Sequence, residues 1–430
     1  MLFLNLMYLT FFLITFPLLL SQNRLAGLYY AALYIYSAFA LFGYTFFPGL
    51  SEHILSYFGP DVGLSATLFC ICNLVLFFFV NATYYNVKNS KTLKYWNADY
   101  NRNISLPGLF LLAFIFVVIA VTGAINWNSM GWNDEQFLNR PSLDQRCYII
   151  AFKLLPGLCT ISYALIRSRM DRGHLAFRVY SVLLFLELFV FSARMGDRGD
   201  LVALALGIFM YESLRGSLNL TLWFRMAAAG FVVILVLSVV GSLLLHLRDA
   251  NYVAQGTVLH KIFNQDYYPP LHMLFAAIAY NYVHPWIVMK SNFLNSLVAM
   301  NYPYLQAFLM DLYFPIHATR SASMAFCPAA EGWMVMGPWG FLYSALVPTI
   351  GLAVWNAIPC LKQRELNVII YAVLGTMAID LVRGQSSYFI KILYMYVMPN
   401  LLVLFTLLRV RIRQATRAPV PRLVEMERGR

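Results

Sequence analysis

Glu331, His317 and Asp266 are the side chains of this sequence best placed to move a proton. Arg194, Arg198, Arg248, Arg320 and Arg383 are those best placed to hold an anion. Arg194 and Arg198 stand in Ser192-Ala-Arg-Met-Gly-Asp-Arg-Gly-Asp200, where glycines let the backbone turn sharply and approach a ligand. Arginine stays charged and presents a rigid fork of donors that matches phosphate. Arg248 follows a long apolar run, and Arg320 closes His317-Ala-Thr-Arg320. Glu331 opens Glu331-Gly-Trp-Met-Val-Met-Gly-Pro-Trp-Gly340, a Gly/Trp-rich entry into another apolar run. A carboxylate shielded at a membrane edge can serve as acid or base. Arg383 lies in Asp380-Leu-Val-Arg-Gly-Gln385, and Lys391 falls inside the apolar run that follows. Ionisable residues in such runs usually face a polar interior, so Asp380 and Lys391 are expected to make an ion pair or line a cavity. Each of these motifs also has a plainer reading as a surface loop, a helix cap or a structural pair.

The elements that must position these groups are membrane helices. Of the 430 residues, 60% are apolar and 12% charged, against about 45–50% and about 25% in soluble domains. Apolar runs near the length of about 20 residues that spans a bilayer cover Leu2–Leu20, Ala26–Phe47, Gly63–Thr83, Ile104–Ile125, Cys147–Ile166 and Ala176–Ala193. Further runs cover Leu201–Leu214, Thr221–Leu247, Trp339–Ile358, Asn367–Val382 and Tyr388–Leu408. The expectation is an all-α polytopic membrane protein of about eleven spans. Residues 1–247 form an N-terminal bundle, 248–339 a large outer loop, 340–408 the C-terminal helices and 409–430 a basic tail. The loop holds the proton-transfer candidates and two of the arginines. Its apolar parts, Leu271–Met289 and Phe293–Tyr313, carry His, Asn and Pro, which favours re-entrant or interfacial helices over two more spans.

The net charge of +12 belongs to topology rather than to nucleic acid. Lys and Arg cluster in alternate connections, among them Lys88 to Arg102, Arg167 to Arg178 and the tail from Arg409. That bias puts the C-terminus in the cytoplasm, and the N-terminus and the large loop outside. Residues 1–20 lack a basic start and a small-residue cleavage site, so they read as a first membrane helix rather than a signal peptide. The cysteines show no zinc spacing and read as buried hydrophobes. No phosphate-binding glycine loop, zinc-protease helix, nucleophile elbow or outer acidic pair occurs, so neither metal nor cofactor is expected.

Three blocks resemble the Wzy-type polymerases that join oligosaccharide repeat units of O-antigen and other bacterial envelope polysaccharides. Met195-Gly-Asp-Arg-Gly-Asp-Leu-Val-Ala-Leu-Ala-Leu-Gly207 is similar to a Gly/Arg turn leading into a short helix. Glu331 to Gly340 is similar to an acidic block with spaced glycines, and Val382-Arg-Gly-Gln-Ser-Ser-Tyr-Phe389 to a C-terminal Arg-Gly turn. Helix order, the late outer loop and the basic tail agree with that layout. The resemblance implies a metal-independent, GT-C-like glycosyltransferase of the bacterial inner membrane. Its substrate would be an undecaprenyl-diphosphate-linked oligosaccharide at the periplasmic face, with a chain-length regulator as a possible partner. It further implies that Arg198 and Arg383, with Arg194, hold the donor diphosphate, and that Glu331 is the family's acidic position. Arg248 and Arg320 fit the diphosphate role by placement alone, and His317, Asp266 and Glu331 compete for the role of base. Two other readings stay open: an O-antigen ligase acting on lipid A core, and a flippase or transporter of lipid-linked sugars. The lack of internal repeats and of midplane polar clusters counts against transport.

Overall fold

The computed structural model describes residues 2–39, 58–89, 94–99, 142–170, 174–184, 199–216, 268–297, 303–313, 326–359, 361 and 363–417. Helices α1 (Leu2–Gln22), α2 (Arg24–Tyr34) and α3 (Pro60–Asn89) precede strand β1 (Lys94–Asp99). Helices α4 (Ser142–Arg169), α5 (Leu175–Leu184) and α6 (Gly199–Arg215) follow. The region 248–339, expected to be a loop, supplies α7 (Tyr268–Ala279), α8 (Pro285–Ser296) and α9 (Leu305–Tyr313). Then come α10 (Pro328–Met336), α11 (Phe341–Trp355), α12 (Arg364–Thr376), α13 (Ala378–Val382), α14 (Tyr388–Ile392) and α15 (Met398–Leu407), and strand β2 (Arg411–Arg417).

Among the described residues four helical stretches are long and apolar enough to cross a bilayer: Phe3–Gln22, Asp61–Val87, Pro328–Trp355 and Tyr388–Leu407. Four of the expected spans overlap them. The expected span Cys147–Ile166 lies within α4, and Leu201–Leu214 within α6. The spans expected at Ile104–Ile125 and Thr221–Leu247 fall outside the described residues. The described residues are helical, as an all-α fold requires, apart from one short ribbon. Lys94–Asp99 and Arg411–Arg417 pair as an antiparallel ribbon, with Lys94 opposite Arg417 and Asp99 opposite Arg411. Backbone hydrogen bonds drive such a ladder, and neither segment carries the apolar alternation that announces a strand.

The chain folds as two compact units interleaved in sequence. The first comprises Met1–Ser90, Gln255–Asn356 and Ala378–Ile392; the second comprises Lys91–Ala254, Ala357–Met377 and Leu393–Arg430.

In the first unit α1, α3 and α11 run parallel. At one end Gln22 donates to Asn86 (3.3 Å), Asn23 to Asn356 (2.9 Å) and Asn356 to the Tyr85 hydroxyl (2.7 Å). Midway, buried Asn81 donates to Thr349 at 2.7 Å. Such side-chain bonds tie helices together where lipid offers no hydrophobic drive for association. Toward the other end Phe69 packs on Trp333 and Phe341. There the buried core gathers Cys70, Leu271, Phe275, Val288, Leu305, Cys327 and Met334.

In the second unit α4, α6 and α12 meet through small residues. A Cβ on Gly207 would strike Thr160 and Thr376, and one on Gly375 would strike Met210. Arg167 and Glu212 bridge α4 and α6 at 3.1 Å, and Tyr163 donates to the same carboxylate oxygen at 2.8 Å.

Candidate functional site

The apolar segment from Pro328 to Trp355 is not one straight helix. Pro328 starts α10, where a missing N–H costs nothing, and Cys327 caps it, its sulfur accepting from the Ala330 N–H. Gly337, at φ 56°, ends α10; that conformation suits glycine. A 3-10 turn, Gly337–Gly340, then leads into α11. The chain folds back so closely that a Cβ on Gly340 would collide with the Gly332 backbone, and one on Gly332 with Ser344 and Gly340. Ser344 fastens this hairpin by donating to the carbonyls of Pro328 (2.8 Å) and Gly340 (3.1 Å).

Glu331 lies in the first turn of α10 and is fully buried. A carboxylate there is stable only if its oxygens are satisfied. Oε1 accepts from Asn292 Nδ2 (2.6 Å) and from the Tyr343 hydroxyl (2.8 Å), and Oε2 accepts from the Ser386 N–H (2.7 Å). The anchor therefore joins three elements: α8 through Asn292, α11 through Tyr343 and the turn before α14 through Ser386.

The network extends beyond the carboxylate. Asn292 Oδ1 accepts from Gln385 Nε2 (3.1 Å) and from the Ser387 N–H (3.2 Å). Gln385 accepts from the Leu305 N–H at 2.9 Å, and so fixes the start of α9. Ser291 donates to the Pro303 carbonyl at 3.0 Å. Arg383, half-buried, gives its carbonyl to the Phe326 N–H at 3.1 Å, just before α10. Its guanidinium sits 5.8 Å from the centre of the Tyr36 ring, within cation–π range.

Of the sequence-derived candidates, Glu331 and Arg383 thus belong to one assembly, their segments bonded directly to each other. Arg194, Arg198, Arg248, Arg320, Asp266 and His317 lie outside the described residues. Lys391, for which an acidic partner was one expectation, hydrogen-bonds to the Tyr304 hydroxyl and lies 4.9 Å from that ring's centre.

Asn292 and Tyr343 escaped the sequence reading, and Gln385, Ser386 and Ser387 stand in the Asp380–Gln385 and Val382–Phe389 blocks without a role of their own. The one available signal was Ser291, Asn292 and Asn295 recurring at helical spacing within a largely apolar loop segment. Chemically, the assembly holds a cation-bearing turn rigidly against a broken helix. The described contacts of the Glu331 carboxylate are protein donors, which gives it the geometry of a clamp. Among the described residues no group of His, Cys, Asp and Glu could hold a metal ion.

No known protein family, curated protein or solved structure matches the chain.

Proposed function

We propose that the protein is a metal-independent membrane glycosyltransferase that polymerises undecaprenyl-diphosphate-linked oligosaccharide repeat units, with Arg383 on the donor diphosphate and Glu331 holding the Arg383 turn in place. The observation carrying this reading is the bond from the Ser386 N–H to Glu331 at 2.7 Å. It joins two of the three blocks on which the resemblance rests. Buried, saturated carboxylates are expensive to build, and this one fixes the backbone three residues from an arginine.

The chemistry follows from charge. As the anomeric bond breaks, its electron pair moves onto the diphosphate, and a preorganised guanidinium stabilises that charge without reorganising. The acceptor hydroxyl attacks the anomeric carbon and loses its proton to a base, for which Asp266 and His317 of the outer loop are the candidates. The resemblance gives Arg194 and Arg198 a diphosphate-holding role as well, and position in the sequence alone gives it to Arg248 and Arg320.

The test incubates purified protein with lipid-linked repeat units and EDTA and separates the products on a gel. A ladder that survives the chelator and falls about 100- to 1,000-fold in Arg383→Ala is the expected result. Transfer only when lipid A core is added identifies a ligase instead. Movement of the lipid-linked sugar across a vesicle bilayer without any transfer identifies a flippase.

A further inference from the structure

We propose that the antiparallel ribbon of β1 and β2 lies on the bilayer surface and binds anionic phospholipid headgroups, with the register pair Lys94 and Arg417 as the seat of one lipid phosphate. This inference is independent of the catalytic reading, since it concerns other residues and another ligand.

A two-stranded ribbon by itself is marginally stable in water. Among the described residues this one packs along no helix, so no described helix supplies the burial it needs. Its register adds a cost. Lys94 stands directly opposite Arg417, and like charges at opposed positions destabilise a ladder. At the other end the pair is favourable, with Asp99 opposite Arg411. Segments 94–99 and 411–417 carry four cations, Lys94, Arg411, Arg413 and Arg417, against one carboxylate, Asp99. Whatever pairs form within the ribbon, that carboxylate can neutralise one charge, and the excess stays positive. An anion from outside the ribbon relieves the repulsion and supplies the missing stability.

The place of the ribbon on the chain identifies that anion. Strand β1 starts five residues after the end of α3, and β2 four residues after the end of α15. Both helices belong to stretches long and apolar enough to cross a bilayer. At about 3.3–3.6 Å per extended residue, neither Lys94 nor Arg411 lies more than about 18 Å from the end of such a helix. Because the strands are antiparallel, these two residues begin opposite ends of the ribbon. Tethers at both ends keep it along the membrane boundary rather than projecting from one end. Anionic lipids there strengthen the hold on each Lys or Arg by about fivefold. A zwitterionic headgroup brings its own cation and so offers the pair no net charge.

The experiment is amide hydrogen–deuterium exchange of the full-length protein in nanodiscs of phosphatidylcholine alone and of phosphatidylcholine with phosphatidylglycerol. Amides of 94–99 and 411–417 are expected to exchange at least about tenfold more slowly with phosphatidylglycerol present, and high salt should abolish the difference. Arg417→Gln and Arg413→Gln each remove one charge, but only the first removes the opposed cations, since Arg413 stands opposite Asn97. With phosphatidylglycerol, Arg417→Gln should lose most of the protection and Arg413→Gln the smaller part. In phosphatidylcholine alone, Arg417→Gln should instead slow exchange, because the repulsion is gone. Equal exchange of the wild type in the two lipids overturns the proposal. Equal losses in the two variants overturn the Lys94–Arg417 seat. Protection in phosphatidylcholine discs by added inorganic phosphate would replace the lipid with a soluble anion as occupant.

Discussion

A carboxylate with three donors and no exposed surface is a different object from a carboxylate awaiting substrate. Glu331 was legible in the sequence because an ionisable residue at the mouth of an apolar run is rare, and Arg383 for the same reason. Their partners were not legible. Asn292, Tyr343 and Gln385 are neutral, lie 39, 12 and 54 residues from Glu331, and become a cluster only through packing. The clamp role makes a kinetic prediction. In Glu331→Gln an amide nitrogen must face one of the donors, leaving buried polar groups unpaired at about 1–3 kcal/mol each. The thermal midpoint in detergent should fall, and turnover with it, while the pH–rate profile keeps its shape. Loss of one limb of that profile would make Glu331 the base instead. A second residue offers a pH test. Burial pushes His272 on α7 down to about 4 from its ordinary 6.5. Between those values the unfolded chain binds the proton and the folded chain does not, so this histidine's contribution is fully present above about pH 6.5 and is lost as pH falls toward 4. The wild-type midpoint should drop over that window, and His272→Gln should flatten the part due to this group.

At the scale of elements, the glycine spacing seen in the sequence acquires a cause. Gly332 and Gly340 face each other across the α10–α11 hairpin, where backbone meets backbone, and Gly337 makes the left-handed turn between them. Gly340→Ala pushes a methyl into a carbonyl that cannot rotate away, so it should cost at least the upper end of the about 1–3 kcal/mol typical of overpacking. Gly216→Ala, whose nearest neighbour is 3.6 Å off, should stay within about 0.5 kcal/mol. Thermal midpoints of the two variants side by side decide it. Helix α8 is the other instructive element, because its polarity is inverted. Ser291 and Asn295 are buried, whereas Trp286, Met289 and Phe293 are 73%, 63% and 66% exposed. Lipid as solvent makes that arrangement favourable, yet 12 residues reach about 18 Å, short of the roughly 30 Å hydrocarbon core. The expectation of re-entrant or interfacial helices in this region rests on the same interruptions that separate α7 from α8. Brominated acyl chains should therefore quench Trp286, as the fluorescence difference between wild type and Trp286→Phe, and quench it most strongly when the bromine sits near the headgroup. Quenching greatest at the bilayer centre would make α8 part of a full span.

At the scale of the molecule, hydropathy announced that lipid is the solvent, but not which stretches of chain fold together. The first unit draws on residues up to 90, on 255–356 and on 378–392, and no periodicity in the sequence reports such long-range choices. The directions of its helices do bear on topology. Strict alternation from an outer N-terminus requires α1, α3 and α11 to cross the same way. The bonds from Gln22 to Asn86 and from Asn23 to Asn356 hold their C-terminal ends at one level. The Glu331 assembly lies at the start of α11, toward the opposite end. If positive charge sets the orientation, the asparagine end faces the cytoplasm and the Glu331 end the outside, where a lipid-linked oligosaccharide would be met. The prediction needs two exposed positions in this one unit, Asn86 near the first end and Tyr280 near the second. In a cysteine-free background, a membrane-impermeant maleimide should label Tyr280→Cys in intact cells whose outer envelope has been opened. Asn86→Cys should react only after the inner membrane is permeabilised. The reverse pattern would invert the protein and move the Glu331–Arg383 assembly to the side where nucleotide sugars, rather than assembled repeat units, are the available donors.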